Sequence, residues 1–186
     1  GNSGSGKSLL FSACAGLYQP QEGDVKTFGK TLYATDFDAV SKYRKHMGCI
    51  FQTHALLSNQ TVEQNLLLPL KKHFPHQSAE THKLKVVEIL KKFGILYTSN
   101  LRPDTISNGT ASLIAILRAM LTEPDIILAD AVLNSIDDEW YKVLLQELRN
   151  FRDQGRSALL FSNNKQVIKT LATKQYILKS GTLHEV

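Results

Sequence analysis

The sequence has few of the features that mark secreted, membrane-spanning or low-complexity proteins. Its two cysteines, Cys14 and Cys49, are isolated, which excludes a disulfide framework and a Cys-x-x-Cys metal motif. No apolar run reaches the ~18 residues that a membrane-spanning helix needs, and no tract is of low complexity. With 42% hydrophobic and 21% charged residues, the 186-residue chain is typical of one ordinary globular domain. A reducing cytosol is therefore the favoured compartment.

A net charge of +5 raises the question of a nucleic-acid partner. The lysines and arginines are spread along the chain, and no stripe of them is interleaved with aromatic residues. We therefore interpret the basic residues as solvated faces and expect no nucleic acid to bind.

The first eight residues match the phosphate-binding pattern G-x-x-x-x-G-K-[ST]. Its glycines allow a tight turn in which successive N–H groups point at a phosphate, and Lys7 reaches the β- and γ-phosphates. The hydroxyl of Ser8 is expected to bind Mg²⁺, and the apolar run after it predicts a helix whose positive end faces the anion. The predicted ATP-binding residues are Gly1, Asn2, Ser3, Gly4, Ser5, Gly6, Lys7 and Ser8.

The position of this loop predicts that the chain is a fragment. A phosphate-binding loop normally follows a β-strand, but no strand and no initiator methionine precede Gly1. We therefore expect N-terminal strands to be missing and the sheet edge that they would cover to be unpaired.

Downstream, strand-like and helix-like segments alternate, which predicts an α/β fold around a mainly parallel sheet. Thr61 and Gln64 have the spacing of a capping box at a helix start. The segment from Ser78 to Phe93 is the clearest amphipathic helix, and its predicted apolar side consists of Leu84, Val87, Ile89 and Leu90. The other predicted helices are 109–121 and 137–153, and the predicted strands are 24–28, 31–33, 48–51, 126–129, 157–161, 175–178 and 182–186.

Read in order, five segments resemble the ATP-binding subunit of an ABC transporter across essentially the whole chain. They are the Walker A loop 1–8, a Q-loop glutamine at Gln52, a signature segment at 106–110, a Walker B strand at 125–130, and a D-loop at 134–137. The resemblance implies a P-loop NTPase of the ABC ATPase type with a helical signature subdomain at about 54–121. It also implies ATP and Mg²⁺ as ligands, with Ser8, Gln52 and Asp130 around the metal. In this family Ser107 and Gly109 would contact the nucleotide bound by a second subunit.

Two passages narrow the resemblance to one branch of the family. Residues 47–70, and the ending Ser180-Gly181-Thr182-Leu183-His184, are similar to the cell-division ATPase FtsE and to the ATPases of lipoprotein-release and macrolide-export systems.

The chain departs from the family pattern where hydrolysis is performed. The glutamate that follows the Walker B aspartate is Ala131, and the switch histidine is Asn163. In the signature segment a glycine has become Asn108, the glutamine has become Thr110, and the arginine in the next helical turn is Leu113. Since a general base contributes ~10²–10⁴ in rate, these changes predict retained binding and impaired hydrolysis, with no catalytic residue intact.

The resemblance implies an ATP-binding subunit that lies at the inner face of the membrane and couples ATP to a permease. It also implies a head-to-tail dimer, and the altered residues favour a heterodimer with an intact partner. Two alternatives stay open, namely a non-hydrolysing ATP-responsive scaffold and a decayed paralogue. A third, an unrelated P-loop enzyme such as a nucleotide kinase, is disfavoured by the ordered Q-loop, signature and D-loop segments.

Overall fold

A computed structural model describes residues 4–33, 37–131 and 136–186, without the side chains of 37–39, 138 and 165–167. The helices are α1 (Lys7–Cys14), α2 (Phe37–Arg44), α3 (Val62–His73), α4 (Ala79–Lys92), α5 (Asn108–Met120), α6 (Asp138–Asp153) and α7 (Lys165–Leu171). The strands are β1 (Lys26–Thr27), β2 (Lys30–Thr31), β3 (Met47–Ile50), β4 (Ile126–Asp130), β5 (Ser157–Phe161), β6 (Tyr176–Lys179) and β7 (Thr182–Glu185).

The centre of the fold is a three-stranded parallel sheet in the order β3-β4-β5. Strand β4 is a short apolar run that is largely buried, as expected of the middle strand of a parallel sheet with both faces covered. Strand β5 pairs with β4 alone among the strands described, and its first three residues are exposed. Two antiparallel hairpins, β1-β2 and β6-β7, complete the strands of the described ranges. The predicted α/β fold with a mainly parallel core is confirmed.

Alternating side chains of β4 pack into different cores. Leu128 packs with Phe11 of α1 and with Ala15, which follows that helix, whereas Ile127 and Ala129 pack with residues of α5 and α6. Helices therefore cover both faces of the sheet. The carboxyl ends of the parallel strands lie at one edge, where the chain also places the start of α1.

A separate apolar cluster lies among the helices that follow β3. Its buried members all fall between positions 62 and 121 and come from α3, α4, α5 and the segments beside them. Helix α5 belongs to two clusters, because Ile116 and Ala119 pack toward the sheet while Leu113 and Leu117 pack toward α3 and α4. A helix that is apolar on most sides, as α5 is, is expected where both of its sides are covered.

The structure corrects several sequence-based boundaries. Helix α4 buries His82, Val86 and Leu90, a stripe at four-residue spacing, so Leu84 points away from the core and is 57% exposed. The predicted strands 24–28 and 31–33 are reduced to the two-residue pairs β1 and β2. Helices α2 and α7 were not predicted, since neither segment has a clear apolar period in the sequence.

The capping box at Thr61 is confirmed. The Thr61 side chain accepts a hydrogen bond from Gln64 N at 3.2 Å, and Gln64 Oε1 accepts one from Thr61 N at 2.8 Å. Asn65, in the same turn, is fully buried and bonds to the backbone of Leu57, Gln60 and Thr61. These bonds hold the start of α3 against the preceding loop.

Candidate nucleotide-binding site

The described part of the predicted phosphate loop has the backbone that an anion cradle requires. Gly4 and Gly6 adopt left-handed conformations with φ of 76° and 99°, which residues with a Cβ rarely adopt. Gly6 is the N-cap residue of α1 and makes no side-chain capping hydrogen bond. Gly1, Asn2 and Ser3 lie outside the described residues.

Ser8 and Asp130, two of the predicted Mg²⁺ ligands, are brought together. Ser8 Oγ donates a hydrogen bond to Asp130 Oδ2 at 2.8 Å. Asp130 ends β4 and is 6% exposed, whereas Ser8 lies in the first turn of α1 and is exposed. A hydroxyl and a carboxylate are oxygen donors of the kind that Mg²⁺ prefers.

A buried polar atom in the loop tests whether a ligand fits there. Ser5 Oγ is shielded from solvent and has no hydrogen-bond partner within the described ranges. Buried polar groups are nearly always hydrogen-bonded, so an orphan of this kind fits a loop that closes around an anion. Together with the Ser8–Asp130 pair and the left-handed glycines, it makes the residues present suitable for a nucleotide with Mg²⁺.

The other predicted residues of this site lie at the same edge of the sheet. Gln52 follows the end of β3 by two residues and is exposed. Ala131 follows β4 directly, and its N–H donates to the carbonyl of Phe161 at 2.8 Å. Asn163 follows β5 by two residues and is exposed. The parallel register therefore places Gln52, Ala131 and Asn163 at the same edge of the sheet as Asp130.

Ala131 occupies a special backbone position at this edge. Its φ is 56°, in the left-handed region, and its side chain is a methyl group that can neither accept a proton nor orient a water molecule. Ala131 therefore cannot act as an acid or a base beside the buried carboxylate of Asp130.

The predicted signature residues lie at the start of α5. Ser107 caps this helix, since its Oγ accepts a hydrogen bond from Thr110 N at 3.1 Å and also lies 2.9 Å from Thr110 Oγ1. A Cβ on Gly109 would lie 2.7 Å from Asp137 Oδ2, so the carboxylate of Asp137 occupies the space beside this glycine. In the described chain, neither Ser107 nor Gly109 bonds to Ser8 or Asp130.

The remaining departures have structural consequences of their own. Leu113, which the resemblance places at the position of an arginine, is fully buried in the helical cluster and is a core residue. Of the predicted D-loop, Asn134 and Ser135 lie outside the described residues. Asp137 lies against Gly109 and is the N-cap residue of α6, where its side chain makes no capping hydrogen bond.

The sequence reasoning missed the contacts between α5 and the turn after Gln52. Arg118 donates hydrogen bonds to the carbonyls of His54 and Ala55, and Ser112 bonds to the His54 ring. Burial lowers the pKa of the Arg118 guanidinium. A single arginine in an otherwise apolar helix was the signal that could have identified this contact.

The fold and the site define a P-loop nucleotide-binding domain. Comparison with protein families gives a match over residues 1–134 to the model described as "ABC transporter". The chain belongs to the ABC transporter family.

Curated relatives are similar over the whole chain. The methionine import ATP-binding protein MetN 1 of Acinetobacter baylyi is 32% identical over 186 residues, which are 100% of this chain and 52% of that protein. MetN of Clostridioides difficile is 32% identical over 187 residues, covering 100% of this chain and 58% of that protein. The chain thus spans somewhat more than half the length of these relatives. The similarity to the FtsE branch stays an expectation.

Solved structures show the same fold. The chain superimposes on the dimeric post-hydrolysis state of the ATP-binding cassette MJ0796 bound to ADP and Pi with a TM-score of 0.91 and 27% identity. This match covers 100% of the present chain and 82% of that chain. The dimeric structure of MJ0796, described as a bacterial ABC transporter cassette, gives a TM-score of 0.90 over 98% and 80% of the two chains.

Proposed function

We propose that this chain is the ATP-binding part of an ABC-type membrane complex, with impaired hydrolysis in its own site. The observation that carries the proposal is the Ser8–Asp130 pair at 2.8 Å, followed directly by Ala131. The oxygens of Ser8 and Asp130 can bind a metal ion, whereas Ala131 beside them has no group that can accept or donate a proton.

The binding roles follow from the residues present. The backbone N–H groups of 1–8 would hold the phosphates, and Lys7 would neutralise part of their charge. Ser8, Gln52 and Asp130 would hold Mg²⁺, which offsets negative charge on the phosphate oxygens when it is bound. Because phosphoryl transfer depends mostly on positioning and charge stabilisation, loss of the groups at 131 and 163 removes the control of water rather than the affinity.

We further propose a head-to-tail dimer in which Ser107 and Gly109 contact the nucleotide of a second subunit. Their location at the N-terminus of α5, with no bond to Ser8 or Asp130 within the described chain, is consistent with such a role. The solved MJ0796 structures are dimeric, and this similarity supports the arrangement. An intact second subunit would supply one site that has the glutamate and the histidine and faces the altered signature of this chain, so we favour a heterodimer.

We assign about 54–121 to a helical subdomain that couples the nucleotide to a membrane permease. The apolar cluster that lies within 62–121 supports this division. None of the helices in the described ranges is long and apolar enough to cross a membrane. We propose that the chain attaches peripherally to the inner membrane surface, through the permease.

Calorimetric titration with ATP and Mg²⁺, followed by a single-turnover assay on the same protein, tests the proposed function. We expect saturable binding and hydrolysis far below the ~1–100 s⁻¹ common in phosphoryl transfer. Absence of binding would favour a decayed paralogue. Binding without turnover, even when a permease and a second ATP-binding subunit are present, would favour a scaffold role.

A further inference from the structure

Two consecutive residues with left-handed backbone follow Gln52. His54 has a φ of 61° and Ala55 a φ of 50°, and both carry a Cβ, which disfavours this conformation. Local bonds define the turn, since His54 N donates to Phe51 O at 3.0 Å and Ala55 N donates to Thr53 O at 2.7 Å. Such a backbone persists where the surroundings hold it in place.

Helix α5 supplies contacts that hold the turn. Arg118 Nη2 donates to His54 O at 3.0 Å and Nη1 donates to Ala55 O at 2.7 Å. Ser112 Oγ lies 2.7 Å from His54 Nε2. Among the ion pairs of the described chain, Arg118 has no carboxylate partner, so its guanidinium directs its charge at these two carbonyls.

The hydrogen bonds of Ser112 bear on whether His54 Nε2 donates or accepts a hydrogen bond. Ser112 Oγ also donates to Asn108 O at 2.9 Å, and a hydroxyl has one proton to donate. With the Ser112 hydroxyl hydrogen assigned to Asn108 O, His54 Nε2 is the donor to Ser112 Oγ. Ser112 is fully buried on α5, which packs against both the sheet and the helical cluster, so this acceptor is held rigidly.

We propose that His54 is a positioning residue for Gln52, acting through its bond to Ser112. Gln52 lies between the end of β3 and the strained turn, so the backbone on these two sides determines where its side chain points. Ser107 caps helix α5, and Gly109 lies in its first turn. A displacement of the signature residues would therefore reach the turn, and through it Gln52. The inference rests on the proposed role of Gln52 as a Mg²⁺ ligand.

The experiment measures ATP affinity with Mg²⁺ and with EDTA for four single variants of the protein and for the double variant His54→Phe with Ser112→Ala. His54→Phe and Ser112→Ala each remove one partner of the bond, whereas His54→Gln keeps an N–H donor of similar reach. His76→Phe is the matched control, because His76 is an exposed histidine in the loop before α4.

We expect His54→Phe and Ser112→Ala each to weaken binding of ATP with Mg²⁺ about three- to tenfold, the size of one hydrogen bond. Affinity in EDTA should not change, His54→Gln should stay near the unmodified protein, and the double variant should be no weaker than the weaker single variant. Circular dichroism and the melting temperature show whether each variant is folded. If His54→Phe does not fold, the affinity of Ser112→Ala tests the proposal.

The inference is overturned if folded variants bind ATP with Mg²⁺ as tightly as the unmodified protein. It is also overturned if affinities with and without Mg²⁺ fall together, since that pattern indicates a general structural defect. Failure of the unmodified protein to bind ATP overturns the proposed function itself, and this inference with it. The two failures are therefore distinguishable.

Discussion

The hydroxyl of Ser8 donates a 2.8 Å hydrogen bond to the buried carboxylate of Asp130, although the two residues are 122 positions apart. One lies in the first turn of α1 and the other at the end of β4. The contact places a hydroxyl and a carboxylate where a metal ion beside a phosphate would lie, which makes nucleotide binding the first property to test.

Lys7 is the one side-chain cation in the sequence 1–8, so its removal should weaken nucleotide binding. We expect Lys7→Ala to lower ATP affinity at least tenfold in a calorimetric titration, because a charge-assisted contact contributes ~1.5–3 kcal/mol. Lys30→Ala, which removes an exposed lysine of β2, is the control and should bind as before. Equal affinity of Lys7→Ala and the control would contradict the phosphate-loop assignment.

We expect a glutamate at position 131 and a histidine at position 163 to raise the rate of hydrolysis only when both are present. We expect Ala131→Glu and Asn163→His to have little effect singly under single-turnover conditions, and the double variant to hydrolyse ATP at least tenfold faster than the unmodified protein. The reason is that water orientation and γ-phosphate contact act as a unit and are strongly non-additive. Asn108 and Thr110 in the signature segment would still limit the gain.

Rapid ATP hydrolysis by the unmodified protein would refute the hypothesis that hydrolysis in its own site is impaired. Turnover already at ~1–100 s⁻¹ would mean that another residue acts as the base. Asp137 and Asp138 would then be the carboxylates to replace, although the structure places Asp137 against Gly109 of the signature turn.

A methyl group added at Gly48 would contact backbone, whereas one added at Gly109 would contact a side chain. At Gly48 the Cβ would lie 2.6 Å from the backbone oxygen of Ala119, whereas at Gly109 it would lie 2.7 Å from the side chain of Asp137. Backbone in a packed core cannot move away, but the Asp137 carboxylate is exposed and can rotate. We expect Gly48→Ala to lower the free energy of unfolding by about 1–3 kcal/mol in urea titrations, and Gly109→Ala by less. The reverse order would refute this account of the two contacts.

Cys49 should be unreactive in the folded protein. Burial of its thiol raises its pKa to about 11, so the thiolate is scarce at pH 8. We expect iodoacetamide to label Cys49 at least tenfold more slowly in buffer than in urea. Mass spectrometry measures the labelling rate. Because the folded state retains the proton at higher pH than the unfolded chain, stability should fall as pH rises above about 9. Equal labelling rates in buffer and urea would contradict the burial.

Local chemistry made several elements predictable. The capping box of Thr61 and Gln64 involves residues three positions apart, and the strand 126–129 is a short apolar run stopped by Pro124 on one side, so neighbouring residues are sufficient to identify both. Helix α2 escaped prediction because its segment has no clear apolar period in the sequence. Leu84 was placed wrongly because the lysines of α4 left two possible apolar stripes, and contact with α3 and α5 selected the one through Val86.

The sequence alone determined the phosphate-loop pattern and the order of the family segments, because both depend on residue type and spacing. It also led to the prediction that Ala131 and Asn163 stand at hydrolytic positions. Tertiary structure decided which distant atoms meet. The parallel register of β3, β4 and β5 brings Gln52, Asp130 and Asn163 to one edge. The packing of α5 sets Asp137 beside Gly109 and Ser112 beside His54. Contacts between residues tens of positions apart depend on how helices and strands pack, and no local spacing in the chain encodes that packing.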